Sequence, residues 1–136
     1  MIRYMALIDG EAGAYGVVFP DLPGCNAMGE TLDEALANAA QSLHDYVADA
    51  LEQGESVAPP RALEELRQDK EVAEALASGS SLANVALVME TGRAVKANLS
   101  LDEGVLSAID QEAKRRKLTR SAFVELMARR ALRDVA

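Results

Sequence analysis

VKANLSLDEGVLSAIDQEAKRRKLTRSAFVELMARRAL, residues 95–132, changes its apolar period part-way along, and that change decides how the C-terminal third folds. Before the change, Val95, Ala97 and Leu99 point one way and Ala94, Lys96 and Asn98 the other, the alternation of one short strand. After it, Ser100-Leu101-Asp102-Glu103 has the form of a capping box, and Leu106, Ile109 and Ala113 recur at helical spacing. The basic run Lys114 to Lys117 suits the C-terminus of that helix. Thr119 is placed to cap a second helix carrying Ala122, Phe123, Leu126 and Met127. The predicted order is strand, helix, helix. A lone short strand leaves its ladder groups unpaired and its apolar face uncovered in water. The simplest partner is the same strand from a second copy, which gives an antiparallel ribbon over four helices and a symmetric homodimer.

Such a ribbon fits the major groove of DNA with its outward residues at base edges. Those residues are Ala94, Lys96 and Asn98. The lysine can donate to guanine acceptors, the asparagine can read adenine, and Ala94 either meets a thymine methyl or leaves room. Thr119, Arg120 and Ser121 place free backbone donors at a helix start, suited to a phosphate. In order and spacing the stretch resembles the ribbon-helix-helix (βαα) transcription factors. The resemblance implies a DNA-binding and dimerisation domain over 91–136 that acts on a pseudo-palindromic operator.

The 136 residues suffice for one ordinary domain or two small ones, and 49% hydrophobic with 26% charged residues is a globular balance. Aromatics are 4% with no Trp, so the core must be aliphatic. No apolar run approaches the ~18 residues of a membrane helix, and MIRYMALIDG is too short in apolar residues for a secretory signal. The expectation is a cytoplasmic protein without a membrane partner. The lone Cys25 fits, since one thiol makes no internal disulfide. A net charge of −8 by itself argues against nucleic acid, yet the sign is segregated. Residues 1–90 hold four Lys/Arg against 16 Asp/Glu, a balance of −12, and residues 91–136 hold 10 against 6, a balance of +4. The basic charge sits in the piece that reads as a DNA binder. The acidic charge sits in a piece that attracts a cation-rich partner.

Residues 1–90 read as βββα(α)β. Ile2–Leu7 and Ala14–Phe19 alternate, with Asp9-Gly10 and Gly13 supplying a hairpin turn. Pro20 and Pro23-Gly24 end the second strand, and Cys25–Gly29 is a short third. Thr31-Leu32-Asp33-Glu34 is another capping box. Leu32, Leu36, Ala39, Leu43, Val47 and Ala50 mark one face of the helix that follows, which stops at Gly54. After Pro59-Pro60, Leu63–Leu76 is a charged helix or a pair of helical turns, and Leu82–Met89 is a returning strand. The expected architecture is α+β in two layers, one large helix over one sheet face, with only Thr91-Gly92 as linker to the tail. About 90 residues can bury their own core.

FPDLPGCNAMGETLDEAL, residues 19–36, describes a proline-fixed corner followed by a helix start. With the strands before it and the helix after it, the segment resembles the N-terminal domain of HicB-type antitoxins. These run through a similar F-P-D-L-P-G-C segment and then G-x-T-x-x-E-A, matched here by Gly29 to Ala35. The resemblance implies a toxin-neutralising domain over 1–90 in a type II toxin–antitoxin pair. Its partner would be a HicA-type mRNA-cleaving ribonuclease toxin, inhibited by occlusion. The ribbon domain would bind operator DNA and repress the operon, as a homodimer or a tetramer. Asp21, Glu30 and Asp33 around the corner are the acids expected to meet the toxin. No catalytic residue, metal or cofactor is expected.

Two other readings stay open. One is a stand-alone repressor whose acidic domain binds a small molecule or drives assembly. The other is a metal-dependent ribonuclease, because a βββαβ unit resembles a degenerate ribonuclease-H-like fold and Asp9, Glu34, Asp45 and Asp49 are acids such an enzyme would use. Helix capping and solvation account for the same residues. Cys25 and His44 lack a third orienting group for nucleophilic catalysis, and zinc would need four ligands.

Overall fold

The structure, a computed structural model of the chain, describes residues 1–134. The described chain divides into two units, Met1–Met89 and Glu90–Asp134.

The first unit is built on β1 (Arg3–Glu11), β2 (Ala14–Val18), β3 (Asn26–Gly29) and β4 (Ser81–Ala86), in a wholly antiparallel sheet of order β3-β2-β1-β4. The hairpin turn is Ala12-Gly13, so of the expected Asp9-Gly10 and Gly13 only Gly13 falls in it, because β1 continues to Glu11, which pairs with Ala14. Gly10 lies inside the strand at φ 91°, and a Cβ there would fall 2.1 Å from the Ala14 carbonyl oxygen. The helix α1 (Leu32–Glu52) starts at the expected cap, with Glu34 N donating to Thr31 Oγ1 at 3.1 Å. It ends at Gly54, φ 73°, where Glu55 N donates back to Ala50 O.

Ala35, Ala39, Leu43 and Val47, spaced by four, form the buried face of α1. They pack on Tyr4, Ala6, Val17, Phe19, Leu22 and Cys25. Leu32, expected on that face, is exposed instead. The reason is Gly29: a Cβ there would sit 2.3 Å from Ala35 N, so β3 and the first turn of α1 meet backbone to backbone, and small Ala35 takes the contact. Each fully buried Leu or Val contributes about 1.5–3 kcal/mol.

The expected two-layer arrangement is incomplete. The charged stretch after the prolines forms two helices, α2 (Leu63–Gln68) and α3 (Lys70–Ala77), separated at Asp69. Their Leu66, Val72, Ala75 and Leu76 cover Met5, Leu7 and Leu82. Strand alternation puts Met5 and Leu7 on the face opposite Tyr4 and Ala6, so a partial third layer lies over β1 and β4. Over β2 and β3 that face stays open, with Val18 48% and Met28 70% exposed.

The second unit holds α4 (Glu103–Arg115) and α5 (Arg120–Asp134) around Ile109, Ala113 and Phe123. The Arg116 guanidinium lies 5.4 Å from the Phe123 ring centre. The cap of α4 is Asp102, whose Oδ1 accepts from Val105 N at 3.0 Å, rather than the expected Ser100. A carboxylate directly before the first helical residue adds the dipole interaction that a serine three residues earlier lacks. Thr119 caps α5 as expected, accepting from Ala122 N.

The strand expected over 94–99 does not form. Residues 87–102 carry no helix or strand, because a single chain offers this segment no ladder partner. The connection is correspondingly longer than Thr91-Gly92.

Candidate functional site

The corner after β2 consists of two consecutive turns, in which Leu22 N donates to Phe19 O and Cys25 N to Leu22 O. Gly24, φ 88°, follows Pro23 in the second, the conformation a type II turn requires. Leu22 is thereby pushed into the core. Asp21 goes with it. It is 9% exposed, and its Oδ1 accepts from Arg61 Nε at 2.5 Å while Oδ2 accepts from Arg61 N at 3.0 Å. The same guanidinium donates to Asp69 at 3.1 Å, and Asp69 also caps α3 by accepting from Val72 N. The Val72 amide first, then Arg61, hold the Asp69 carboxyl below the usual carboxylate range. Asp21 is therefore a buried clasp between the corner and the chain entering α2. This corrects its expected role as a free acid facing a partner, because both its oxygens are engaged. Glu30 and Asp33 are exposed.

A groove of about 460 Å³ opens beside the clasp, lined in part by Leu22, Tyr46, Asp49, Gln53, Glu55 and Ser56. One wall is the last turns of α1 and the other is the chain after Gly54. Tyr4 Oη donates to Ala58 O at 2.6 Å and Tyr46 Oη to Pro23 O at 3.4 Å, so both walls are tied to the sheet and the corner. Burial, and after it the Asp21 charge, push the Tyr4 phenol up, which keeps it a donor. Asp49 and Glu55 have no cationic partner among the described residues.

In the second unit Ala94, Lys96, Asn98, Val95 and Leu99 lie on the exposed segment before α4, with Val95 88% and Leu99 66% exposed. Thr119, Arg120 and Ser121 come together at the start of α5. Thr119 is used as the cap, and Arg120 Nε and Nη2 donate to the two oxygens of Asp110 at 2.7 and 2.8 Å. Exposed Lys114 to Lys117 lie beside them, and Lys117 turns the chain at φ 58°.

The acids of the ribonuclease reading are not gathered. Ile8 packs toward α1, so Asp9 points to the opposite face, where a Cβ on Gly16 would lie 2.6 Å from Asp9 Oδ1. Glu34, Asp45 and Asp49 are on α1, across the sheet. Among the described residues no three His, Cys, Asp or Glu side chains are arranged to hold a metal. Burial pushes the Cys25 thiol up to about 11, the reverse of an activated nucleophile. His44 Nδ1 lies 3.2 Å from Asp45 Oδ1.

A family model described as HicB-like antitoxin of bacterial toxin–antitoxin systems matches residues 4–128. The chain belongs to the HicB-like antitoxin family. Its fold resembles the crystal structure of the Burkholderia pseudomallei antitoxin HicB, with 31% identity, a TM-score of 0.56, and 97% of this chain and 99% of that one covered. It is also similar to a 14.9 kDa protein of the rep–hol intergenic region of Haemophilus phage HP1, 29% identical over 79% of each chain. A structure of a HicA3 and HicB3 toxin–antitoxin complex shares the fold at 22% identity and a TM-score of 0.53, over 64% of this chain. HicB-like proteins act as antitoxins rather than catalysts. Among the described residues no helix is long and apolar enough to cross a membrane.

Sequence reasoning on this HicB-like chain missed the groove. Tyr46 and Asp49 of α1 and Gln53 at its C-cap share one face at helical spacing, a legible signal. The wall after Gly54 that turns that face into a concavity was not legible.

Proposed function

We propose that this HicB-like protein neutralises a HicA-type ribonuclease toxin through its acidic unit. We further propose that it represses its own operon through a ribbon-helix-helix homodimer formed by residues 91–136. The carrying observation is the exposed segment 94–99, with apolar Val95 and Leu99 at alternate positions and unpaired in a single chain. Pairing with a second copy would complete a ladder and bury both, along with exposed Leu101, Val105, Leu126 and Met127. Lys96 and Asn98 would then project to base edges, Ala94 would leave room beside them, and Thr119, Arg120 and Ser121 would meet phosphates. Glu30 and Asp33, open to solvent at the start of α1, would steer a basic toxin.

A gel shift against the upstream DNA tests this reading, with the full chain beside a chain ending at Glu90. The full chain alone should shift it, in a salt-sensitive and sequence-specific way. Val95→Asp should yield a monomer by light scattering that no longer shifts the DNA. A Val95→Asp protein that stays dimeric and binds refutes the ribbon. Asp110→Asn, which releases Arg120, should tighten binding to all sequences alike, whereas Lys96→Ala and Asn98→Ala should lose about 1–3 kcal/mol of base discrimination. The toxin arm is read by co-purification with the small basic protein of the neighbouring reading frame.

A further inference from the structure

We infer that the groove between the end of α1 and the chain after Gly54 is the anchor site for an arginine side chain of the basic protein partner. The inference rests on the antitoxin reading and adds to it the place and chemistry of the contact.

The groove gathers two unpaired acids on one concave surface. Of the acids at the corner, Asp21 and Asp69 are neutralised by Arg61, whereas Asp49 and Glu55 line the groove with no cation of the described chain beside them. Two uncompensated carboxylates on a concave wall attract a cation and repel nucleotides and other anions. The remaining lining has the parts a guanidinium uses: Tyr46, Gln53 and Ser56, and apolar Pro23 and Val57 for the methylene stem. A planar five-donor group engages two carboxylates and a ring together, which a lysine ammonium does less well. The volume lies within the roughly 300–1,000 Å³ of ligand-sized clefts.

The groove is also prebuilt. The Gly54 turn, the Tyr4 bond to Ala58 O and the Asp21 bond to the Arg61 amide hold the outer wall at three points, so binding orders no loop. Glu30 and Asp33 lack such a wall. Asp33 lies in the first turn of α1, where the helix dipole already stabilises a carboxylate.

The test uses the full chain, the double variant Asp49→Asn/Glu55→Gln, and Glu71→Gln/Glu74→Gln on α3 as control. Titration calorimetry measures affinity for the HicA-type toxin of the neighbouring frame. In parallel, ¹⁵N-resolved spectra follow a titration with tri-arginine amide. The groove variant should lose about a hundredfold in toxin affinity, roughly tenfold per charge-assisted bond, while the control stays within about twofold. The peptide should shift the amides of Tyr46, Gln53 and Ser56 in the wild type and not in the groove variant. Equal toxin affinity for groove variant and control overturns the anchor site and leaves the antitoxin reading intact. A wild-type chain that ignores the toxin while the peptide shifts the groove amides overturns the antitoxin reading and keeps the cation site. Peptide shifts confined to other surfaces overturn the site outright. Unchanged urea midpoints establish that both variants fold.

Discussion

Replacing Asp21 with alanine should unfold the first unit far more readily than its turn position suggests. The side chain is 3% exposed and accepts two bonds from Arg61, one from the guanidinium and one from the main-chain amide. Hydrogen bonds to a charged group are worth about 1.5–3 kcal/mol each, so complete loss of both would cost roughly 3–6 kcal/mol. Arg61 is 34% exposed and keeps Asp69, so water and that carboxylate recover part of the loss. The expected destabilisation is about 3 kcal/mol, and about half of that for Asp21→Asn, which retains one acceptor. The assay has a built-in reporter. The chain has three tyrosines and no Trp, and Tyr4, Tyr15 and Tyr46 all lie in the first unit. Tyrosine fluorescence in urea therefore follows that unit alone. With slopes of about 1–3 kcal/mol/M, the midpoint should drop by roughly 1–3 M at unchanged slope. An Asp21→Ala protein within about 0.5 kcal/mol of wild type would refute the clasp. So would a double-mutant cycle with Arg61→Met showing no coupling.

Gly29→Ala places a Cβ against the Ala35 backbone at 2.3 and 2.7 Å, so the same fluorescence assay should show a loss of about 1–3 kcal/mol. Lys117 is the non-glycine residue with positive φ among the described residues, and Lys117→Gly should relieve about 1 kcal/mol. Amide exchange in α4 and α5 should then slow by roughly three- to fivefold. Hydrogen bonds from Arg115 first, then Arg116, lower the Glu112 carboxyl from the usual 4.5 to about 2. Because the folded value is the depressed one, its contribution is complete above about 4.5 and is lost as pH falls toward 2. A carboxyl ¹³C titration should place its midpoint near the lower figure, and Glu112→Gln should flatten the acid sensitivity of α4 over that window.

The elements that were legible in the sequence are those whose cause is local. Thr31 and Thr119 cap the helices they precede, Gly54 ends α1, and Pro23-Gly24 makes the turn its chemistry dictates, each set by atoms within about four residues. The cap at Asp102 shows the limit: Ser100 and Asp102 are both good capping residues, and choosing between them requires knowing where the helix packs. The buried face of α1 shows it again, because Leu32 is the more hydrophobic candidate, yet Gly29 brings the strand against Ala35.

The sequence by itself determined the order of elements in the first unit, the pair of helices in the second, the segregation of charge and the corner-and-helix motif, since periodicity, composition and turn chemistry are properties of neighbouring residues. Only the tertiary structure decided that Asp21 is a clasp for Arg61, 40 positions away, that α2 and α3 cover half of the second sheet face, and that Asp9 lies across the sheet from the acids of α1. It also decided that Tyr46, Asp49 and Glu55 border one groove. Burial and pairing arise between segments distant in sequence, and which distant segments meet follows from how the whole chain excludes water.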